Sequence, residues 1–372
     1  MRRTWILLVL VVFVLSSLVF ACAKPAPAPT PAPAPTPAPA PKPTIAPRML
    51  NLASTYTTTA GEAQRELFFM DQVTKRTGGA ITWVTYFGAS LAAPKGHIDL
   101  VREGIVDVGS TSVGYTSGFF PTALFSFAFP FVTTDPFIAA KAFRQCMDEF
   151  PQVEQTFTAQ NVKNLCNIIP ADYGFLSKEP LRTLEDLKGQ KVGLIGKYFG
   201  RWMEPVGMVP VVSGMHDRYM MLQTGVIDVD LLGITEQLDL HHHEVTKYYL
   251  DAGVGVYPIE GILINLDVFN SFEPELQKII VQAGLDAENH VCQYKVDKRD
   301  ESQAVFKEKG IIFSELSQAD KDKWLSLLPD TVAELAADLE SKGFPGWEMV
   351  ARYQEILKGE GVKFSREWGI KK

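Results

Sequence analysis

Three consecutive histidines, His241, His242 and His243, followed by Glu244, form the densest run of metal-ligating side chains in the sequence. Imidazole and carboxylate both suit zinc, but a tetrahedral site draws its ligands from separated positions, and neighbours in a regular element point different ways. The run therefore reads as a surface loop before a helix over EVTKYY, and no metal is expected. Catalytic signatures are missing as well. The chain has no G-x-S-x-G elbow, no phosphate-binding G-x-x-x-x-G-K-[ST] loop and no H-E-x-x-H pair, so no enzyme activity and no cofactor are expected. Apart from Cys22 there are Cys146, Cys166 and Cys292, an odd number without C-x-x-C spacing, which signals neither a disulfide framework nor a zinc site. A single disulfide is compatible with that count, and the sequence cannot pair it. What remains is binding chemistry: hydroxyls and aromatic faces at Tyr56, Ser112, Tyr115, Tyr173 and Tyr198, Met215 and His216 at a helix start, and the cations Lys197 and Arg201.

The elements that must position these groups follow from hydrophobic periodicity. Met49 to Ser54 reads as a strand, followed by a Thr-rich turn and a helix through Glu66, Phe69 and Val73 that stops at Gly78-Gly79. Strands at Ile81 to Tyr86 and Val106 to Gly109 flank a helix at His97 to Glu103. Strand, helix, strand, helix, strand predicts a parallel sheet with crossover helices, and ligands of such sheets sit at the carboxyl ends of the strands. That rule points to the loops 55–60 and 110–115. A second unit repeats the pattern with a short helix at Leu184 to Leu187, strands at Lys191 to Ile195, Val209 to Val212 and Val226 to Leu232, and helices at Phe199 to Val206 and Arg218 to Thr224. Gly261 to Asn265 returns as a strand, and a long helix runs from Pro274 to Lys309. The expectation is an α/β fold of two lobes with a hinge, a central cleft and long C-terminal helices, closing on a solute as hinged lobes do.

The amino-terminal residues carry different information. Arg2 and Arg3 precede an uncharged apolar run of about 17 residues, the layout of an export signal and marginal for a membrane span. Val19-Phe20-Ala21-Cys22 resembles a bacterial lipobox, which makes Cys22 the candidate lipidation site; a retained membrane helix is the other reading. Alternating Pro, Ala and Thr up to Pro47 cannot bury apolar surface and favours an extended stalk. The formal net charge of −7 and the absence of basic runs with interleaved aromatics exclude a nucleic-acid partner. The organisation expected is a signal peptide at 1–21, a lipidated cysteine and Pro/Ala-rich linker at 22–47, a first lobe of 48–174 with 263–302, and a second of 175–262 with 303–372.

Four stretches together resemble the solute-binding proteins of tripartite ATP-independent periplasmic (TRAP) transporters, the DctP type. They are TKRTGGAITWVTYFGASLAAPKGHIDLVREGIVDVGSTS, FFPTALFSFAFPFV, PLRTLEDLKGQKVGLIG, and MLQTGVIDV with EVTKYY and ILINLDVFNSFEPELQKII. The resemblance implies a two-lobed periplasmic-binding fold, no catalysis, and an exported receptor that captures a small organic solute and hands it to separate membrane permease subunits. An ABC-type binding lipoprotein and a sensory receptor module are the alternatives.

Residue by residue, the family's usual arginine, which bridges a ligand carboxylate with two prongs, falls on Gly193. A second position that is often arginine falls at Tyr173. With glycine at 193, the expected solute is an aromatic or otherwise partly apolar organic acid, or a neutral polar solute, rather than a dicarboxylate. Lys197 or Arg201 would be a displaced cation; solvated helix charge is the plainer reading of both. The family's Gln-Glu-Asn-Pro becomes Asp230-Leu231-Leu232-Gly233, leaving Asp230 and Glu236 as candidates to face the solute and Asp228 as a loop tie. Asn265 matches a family asparagine at the end of a cleft strand. The Glu-Trp pair that holds a metal in some 2-oxoacid-binding members is replaced by Leu231-Leu232, so no metal is expected here either, and Glu260 is the nearby carboxylate.

Overall fold

The structure is a computed structural model that describes residues 45–110, 118–122 and 125–371. The expected export signal, Cys22 and nearly all of the expected stalk, together with Ser112 and Tyr115, lie outside the described residues. In chain order, strands β1 (Arg48–Ala53), β2 (Ile81–Tyr86), β3 (Val108–Ser110) and β4 (Val162–Ile168) belong to a first sheet. Strands β5 (Tyr173–Ser177), β6 (Lys191–Leu194), β7 (Val209–Val212), β8 (Val229–Gly233) and β9 (Tyr248–Asp251) belong to a second. The chain then recrosses: β10 (Ile259–Asn265) returns to the first sheet and β11 (Ile312–Glu315) to the second. The orders are β2-β1-β3-β10-β4 and β11-β9-β5-β8-β6-β7.

Each lobe keeps the parallel core that the periodicity predicts, β2-β1-β3 in one and β8-β6-β7 in the other. Neither sheet is parallel throughout. β10 runs antiparallel to β3 and β4, and β5 antiparallel to β8 and β9, because a strand entering from the other lobe starts at the cleft end and not at the far end. The boundary expected between 174 and 175 falls inside β5, and that between 262 and 263 inside β10. A strand joins its ladder whole, so both crossings occur earlier in the chain. EVTKYY does not form the expected helix: Glu244 and Val245 only close a short 3-10 turn from His242, and its last residues open β9, whose ladder with β5 and β11 overrides local preference.

The helix Pro274–Glu308 runs alongside both lobes, a length of about 52 Å at 1.5 Å per residue. Proline at its first position costs no hydrogen bond. Its first half buries Leu276, Ile280, Ala283, Ala287 and Val291 on one stripe, most of it in the core that also holds Phe69 and Val73 from the helix Gln64–Arg76. Its last turns bury Phe306 with Leu176, Ile234 and Tyr249 of the second lobe. A 302/303 boundary therefore cuts through one continuous helix.

Aromatic rings fill the space between the sheets. Phe127, from FSFAFPF, meets Phe199 at 5.1 Å and Tyr257 at 5.3 Å, and Trp202 lies 5.0 Å from Phe199. Pairs in these edge-on and tilted arrangements contribute about 0.5–1.5 kcal/mol each beyond their burial. The C-terminal helices close over this cluster. Trp324 Nε1 donates to the Trp202 carbonyl at 2.8 Å, and Tyr353 packs on Phe125 and Phe129. Arg352 also pairs with Glu149 beyond the helix Pro136–Asp148, so the C-terminal segment does not lie on the second lobe alone. Cys146, Cys166 and Cys292 are free buried thiols.

The segments that cross between the sheets are braced against each other. Tyr173 N donates to the Gly255 carbonyl at 3.1 Å, and Gly255 N to Asp172 Oδ1 at 2.9 Å. Gly255 has φ +114°, and a Cβ there would stand 2.9 Å from the Thr133 carbonyl oxygen. Gly255→Ala should therefore lower stability by roughly 1–3 kcal/mol, measured as the shift in equilibrium urea unfolding.

Candidate ligand-binding site

A cleft of about 790 Å³ opens at the carboxyl ends of β1 and β2 on one side and at the loops after β7 and β8 on the other. From the first lobe it is lined by Thr55, Tyr56, Thr57, Thr59, Glu62 and the Gly88–Ala89 turn. Met215, His216, Glu236, Asp239, His243 and Glu244 face it from the second. The loop 55–60 thus sits where strand polarity predicts.

Its shape is held locally. Ser54 Oγ accepts from Tyr56 N at 3.2 Å and from Ser110 Oγ at 3.1 Å, while Gly88 N donates to the Tyr56 carbonyl at 2.7 Å, tying the turns after β1 and β2 together. Tyr56 is buried on this frame, and burial, with Glu62 next, pushes its phenol well above the ordinary value. Tyr173, the first residue of β5, packs 4.9 Å from Phe199. Burial raises its phenol, with Glu236 next in effect and Arg218, Tyr56 and Lys295 also in electrostatic reach. Both phenols are neutral; Tyr56 lines the cleft, whereas Tyr173 lies behind it in the aromatic core and is not part of its described wall.

Gly193 lies in the middle of β6, paired with Val211 and Asp230. A Cβ there would meet Ile227 Cδ1 at 2.7 Å and Arg218 Cδ at 3.2 Å. The space a side chain at 193 would use is taken by Arg218, which reaches in from the helix Arg218–Thr224. That guanidinium is fully buried and engaged through its two terminal nitrogens: Nη1 donates to Asp230 Oδ1 at 2.9 Å and to the Leu231 carbonyl at 3.0 Å, and Nη2 to the Ser213 carbonyl at 2.9 Å. Asp230 also accepts from His242 Nδ1 at 2.9 Å and from Gln237 Nε2 at 3.2 Å. Burial opposes its ionisation, but the His242 hydrogen bond and the Arg218 charge outweigh it and hold the carboxyl below its ordinary range. Asp230 belongs to this closed network and not to the lining of the cleft.

Lys295, from the long helix, is 3% exposed and bonds Glu236 at 2.6 Å, Glu62 at 3.0 Å and Thr235 Oγ1 at 3.2 Å. Burial favours neutral lysine, yet Glu236 and Glu62 more than reverse it and its pKa is raised. Burial likewise penalises charge on both acids. Lys295 and hydrogen bonds from Glu62, Lys295 and Thr235 bring Glu236 down to about 2, whereas burial and the neighbouring Glu236 carry Glu62 up to about 7 against the pull of Lys295.

Several expected positions lie elsewhere. Lys197 is exposed, its ammonium 4.9 Å from the Tyr198 ring centre, and Arg201 pairs with Glu334 at 2.7 Å; neither lines the cleft. Asn265 caps the helix Leu266–Asn270 through Val268 N at 3.1 Å and donates to the Val101 carbonyl at 2.8 Å. Because β10 is antiparallel to β3, the end of β10 lies at the edge of the sheet opposite the cleft. Asp228 accepts from Lys191 N at 3.0 Å, a loop tie. The histidines diverge: His241 is exposed in the left-handed region at φ 60°, His242 is buried on Asp230, and His243 packs 5.4 Å from Phe306. The run is not a surface loop, since its central member sits in the interior. Glu62, Arg218 and Lys295 escape sequence reading because Lys295 and Glu62 are 233 residues apart and no spacing rule connects them.

Residues 53–338 match the bacterial extracellular solute-binding protein family 7, DctP. The chain belongs to that family. Its members are binding receptors rather than enzymes. Among curated relatives, the uncharacterized protein YiiZ of Salmonella typhimurium is 24% identical over 242 residues, 62% of this chain and 71% of that protein. A TRAP periplasmic solute-binding protein from Desulfovibrio salexigens, in an open complex with the C-terminus of a symmetry mate in its ligand site, superposes with TM-score 0.74 and 24% identity over 84% of this chain and 96% of that one. A TRAP solute-binding protein from Rhodoferax ferrireducens, in complex with copurified benzoate, superposes with TM-score 0.76 and 20% identity over 84% and 98%. These likenesses establish the two-lobed fold.

Asp230→Asn should leave the Arg218 charge buried without its counter-charge and cost about 3 kcal/mol at pH 7. A carboxyl held below its ordinary value contributes stability above that ordinary value and loses it as pH falls. The difference between native and variant urea midpoints should therefore be full at pH 7 and shrink below about pH 4.

Proposed function

We propose that this chain is the lipid-anchored extracytoplasmic receptor of a TRAP transporter, capturing a small, partly apolar organic acid and delivering it to the membrane permease subunits. The observation that carries the reading is the cleft between two α/β lobes, at the carboxyl ends of β1 and β2, in a chain of this receptor family. Such a cleft takes a solute from both sides and removes it from water on closure.

The lining argues for the class of solute. Its described wall carries the carboxyl groups of Glu62 and Glu236, already engaged by Lys295, and the further carboxylates Asp239 and Glu244, with Lys309 as its cation and Tyr56 and three threonines as neutral donors. A dianion would face repulsion there, whereas a solute with one carboxylate and an apolar or aromatic body would face less. The guanidinium beside Gly193 is already neutralised by Asp230, which points the same way. The structure from Rhodoferax ferrireducens, a TRAP solute-binding protein of this fold in complex with copurified benzoate, supports a solute of that kind. Cys22, in a lipobox-like setting before the Pro/Ala-rich stretch, supports attachment at the outer face of the cytoplasmic membrane. Among the described residues no helix is long and apolar enough to cross a membrane.

A thermal-shift screen against aromatic acids, 2-oxoacids, sugar acids, C4-dicarboxylates and neutral polar solutes tests the reading. A solute at one hundred times its Kd should stabilise the protein by about 2.7 kcal/mol. Hits among aromatic or other monocarboxylic acids are expected, and a response confined to dicarboxylates would refute the assigned class. In cells, Cys22→Ser should move the protein from the membrane fraction to the soluble one; unchanged membrane retention would rule out the lipid anchor.

A further inference from the structure

Glu62 and Glu236 reach the same ammonium group from opposite lobes. Glu62 follows β1 of the first sheet, Glu236 follows β8 of the second, and Lys295 projects from the helix that runs along both. The same two segments meet again where Gly61 N donates to Asp239 Oδ2 at 3.0 Å. Both glutamates line the cleft. Separating the lobes on this side must break Lys295 from one of them.

We propose that Glu62, Lys295 and Glu236 form a proton-dependent clasp that holds the two lobes together beside the cleft. Two carboxyl groups share one buried ammonium, Glu236 at 2.6 Å and Glu62 at 3.0 Å, so two negative charges would face one positive charge away from water, and a proton on one of them removes the excess. Glu236 is fully engaged by Lys295 and Thr235, so the proton resides on Glu62. With it, the cluster is neutral and every bond is made. Without it, one negative charge is left in excess away from water, and the remedy is for Glu62 to leave Lys295 for solvent.

The surrounding groups do not supply the missing charge. Tyr56 and Tyr173 are neutral, Arg65 is engaged by Glu66 at 2.6 Å, and Asp239 adds further negative charge. Tyr294, on the long helix, is raised by burial and stays neutral. The sign follows from the carboxyl of Glu62, carried from an ordinary 4.5 to about 7 in the assembled cluster. The clasp is strongest near pH 4.5 and is lost as pH rises through 7. Glu236, held at about 2, makes it weaken again in stronger acid.

The test needs no solute. Fluorophores placed on full-length protein at Thr85 and Val212, exposed positions on the edge strands β2 and β7, report lobe separation by energy transfer. Between pH 5 and pH 8.5 the ratio of open to closed molecules should rise by about tenfold or more. Glu62→Gln, which keeps the neutral form's shape, should flatten that dependence. Glu236→Gln lets Glu62 ionise against Lys295 alone, and should also abolish opening across this range. Opening in both variants at the native pH, or a native separation that ignores pH, would overturn the clasp.

Discussion

A lysine ammonium buried in a protein must keep counter-charges within hydrogen-bond reach, and Lys295 meets that demand by drawing one glutamate from each lobe. Removing Lys295 would leave the Glu236 carboxylate buried without its counter-charge, an effect of several kcal/mol. That constraint sets the position of the segment after β1 relative to the segment after β8. Tyr56, the threonine turn and the second-lobe wall of the cleft are all placed by those two segments. The helix Pro274–Glu308 is what makes the arrangement possible, because it gives both lobes a common rigid edge from which Lys295 projects.

The same rule governs the second buried cation. Arg218 enters the space above Gly193 and is held by Asp230, which in turn is held by His242 and Gln237. A charged side chain on β6 has no room there, and a neutralised pair fills the place. This exchange changes what the cleft offers a solute: hydroxyls, imidazoles and carboxyl groups dominate its described wall. It also explains how a glycine fits in a central strand, since the void that a missing side chain leaves is filled from a neighbouring helix and from Ile227.

The aromatic cluster does complementary work. Phe127, Tyr173, Phe199, Trp202 and Tyr257 come from both sides of the crossings and bury one continuous apolar volume, while Tyr257 donates its hydroxyl to the Val254 carbonyl within the recrossing segment. Ionic contacts at the cleft mouth and apolar packing behind it therefore act at different distances from solvent. The first responds to proton concentration and the second does not.

Local signals in the sequence determined much of this protein. Short apolar runs and glycine stops placed β1, β2, β6 and β7 close to their observed ends, the proline-led stretch from Pro274 was legible as one helix, and strand polarity located the loop 55–60 at the cleft. Motif order and the glycine at 193 were readable for the same reason, since each depends on residues close together in the chain. Tertiary structure alone decided the rest. The antiparallel return of β10 carries Asn265 to the far edge of its sheet, a ladder turns EVTKYY into the start of a strand, and burial makes three neighbouring histidines three unrelated groups. Glu62, Lys295 and Glu236 meet because two lobes and a helix converge, and no local periodicity encodes which distant charges will share a volume from which water is excluded.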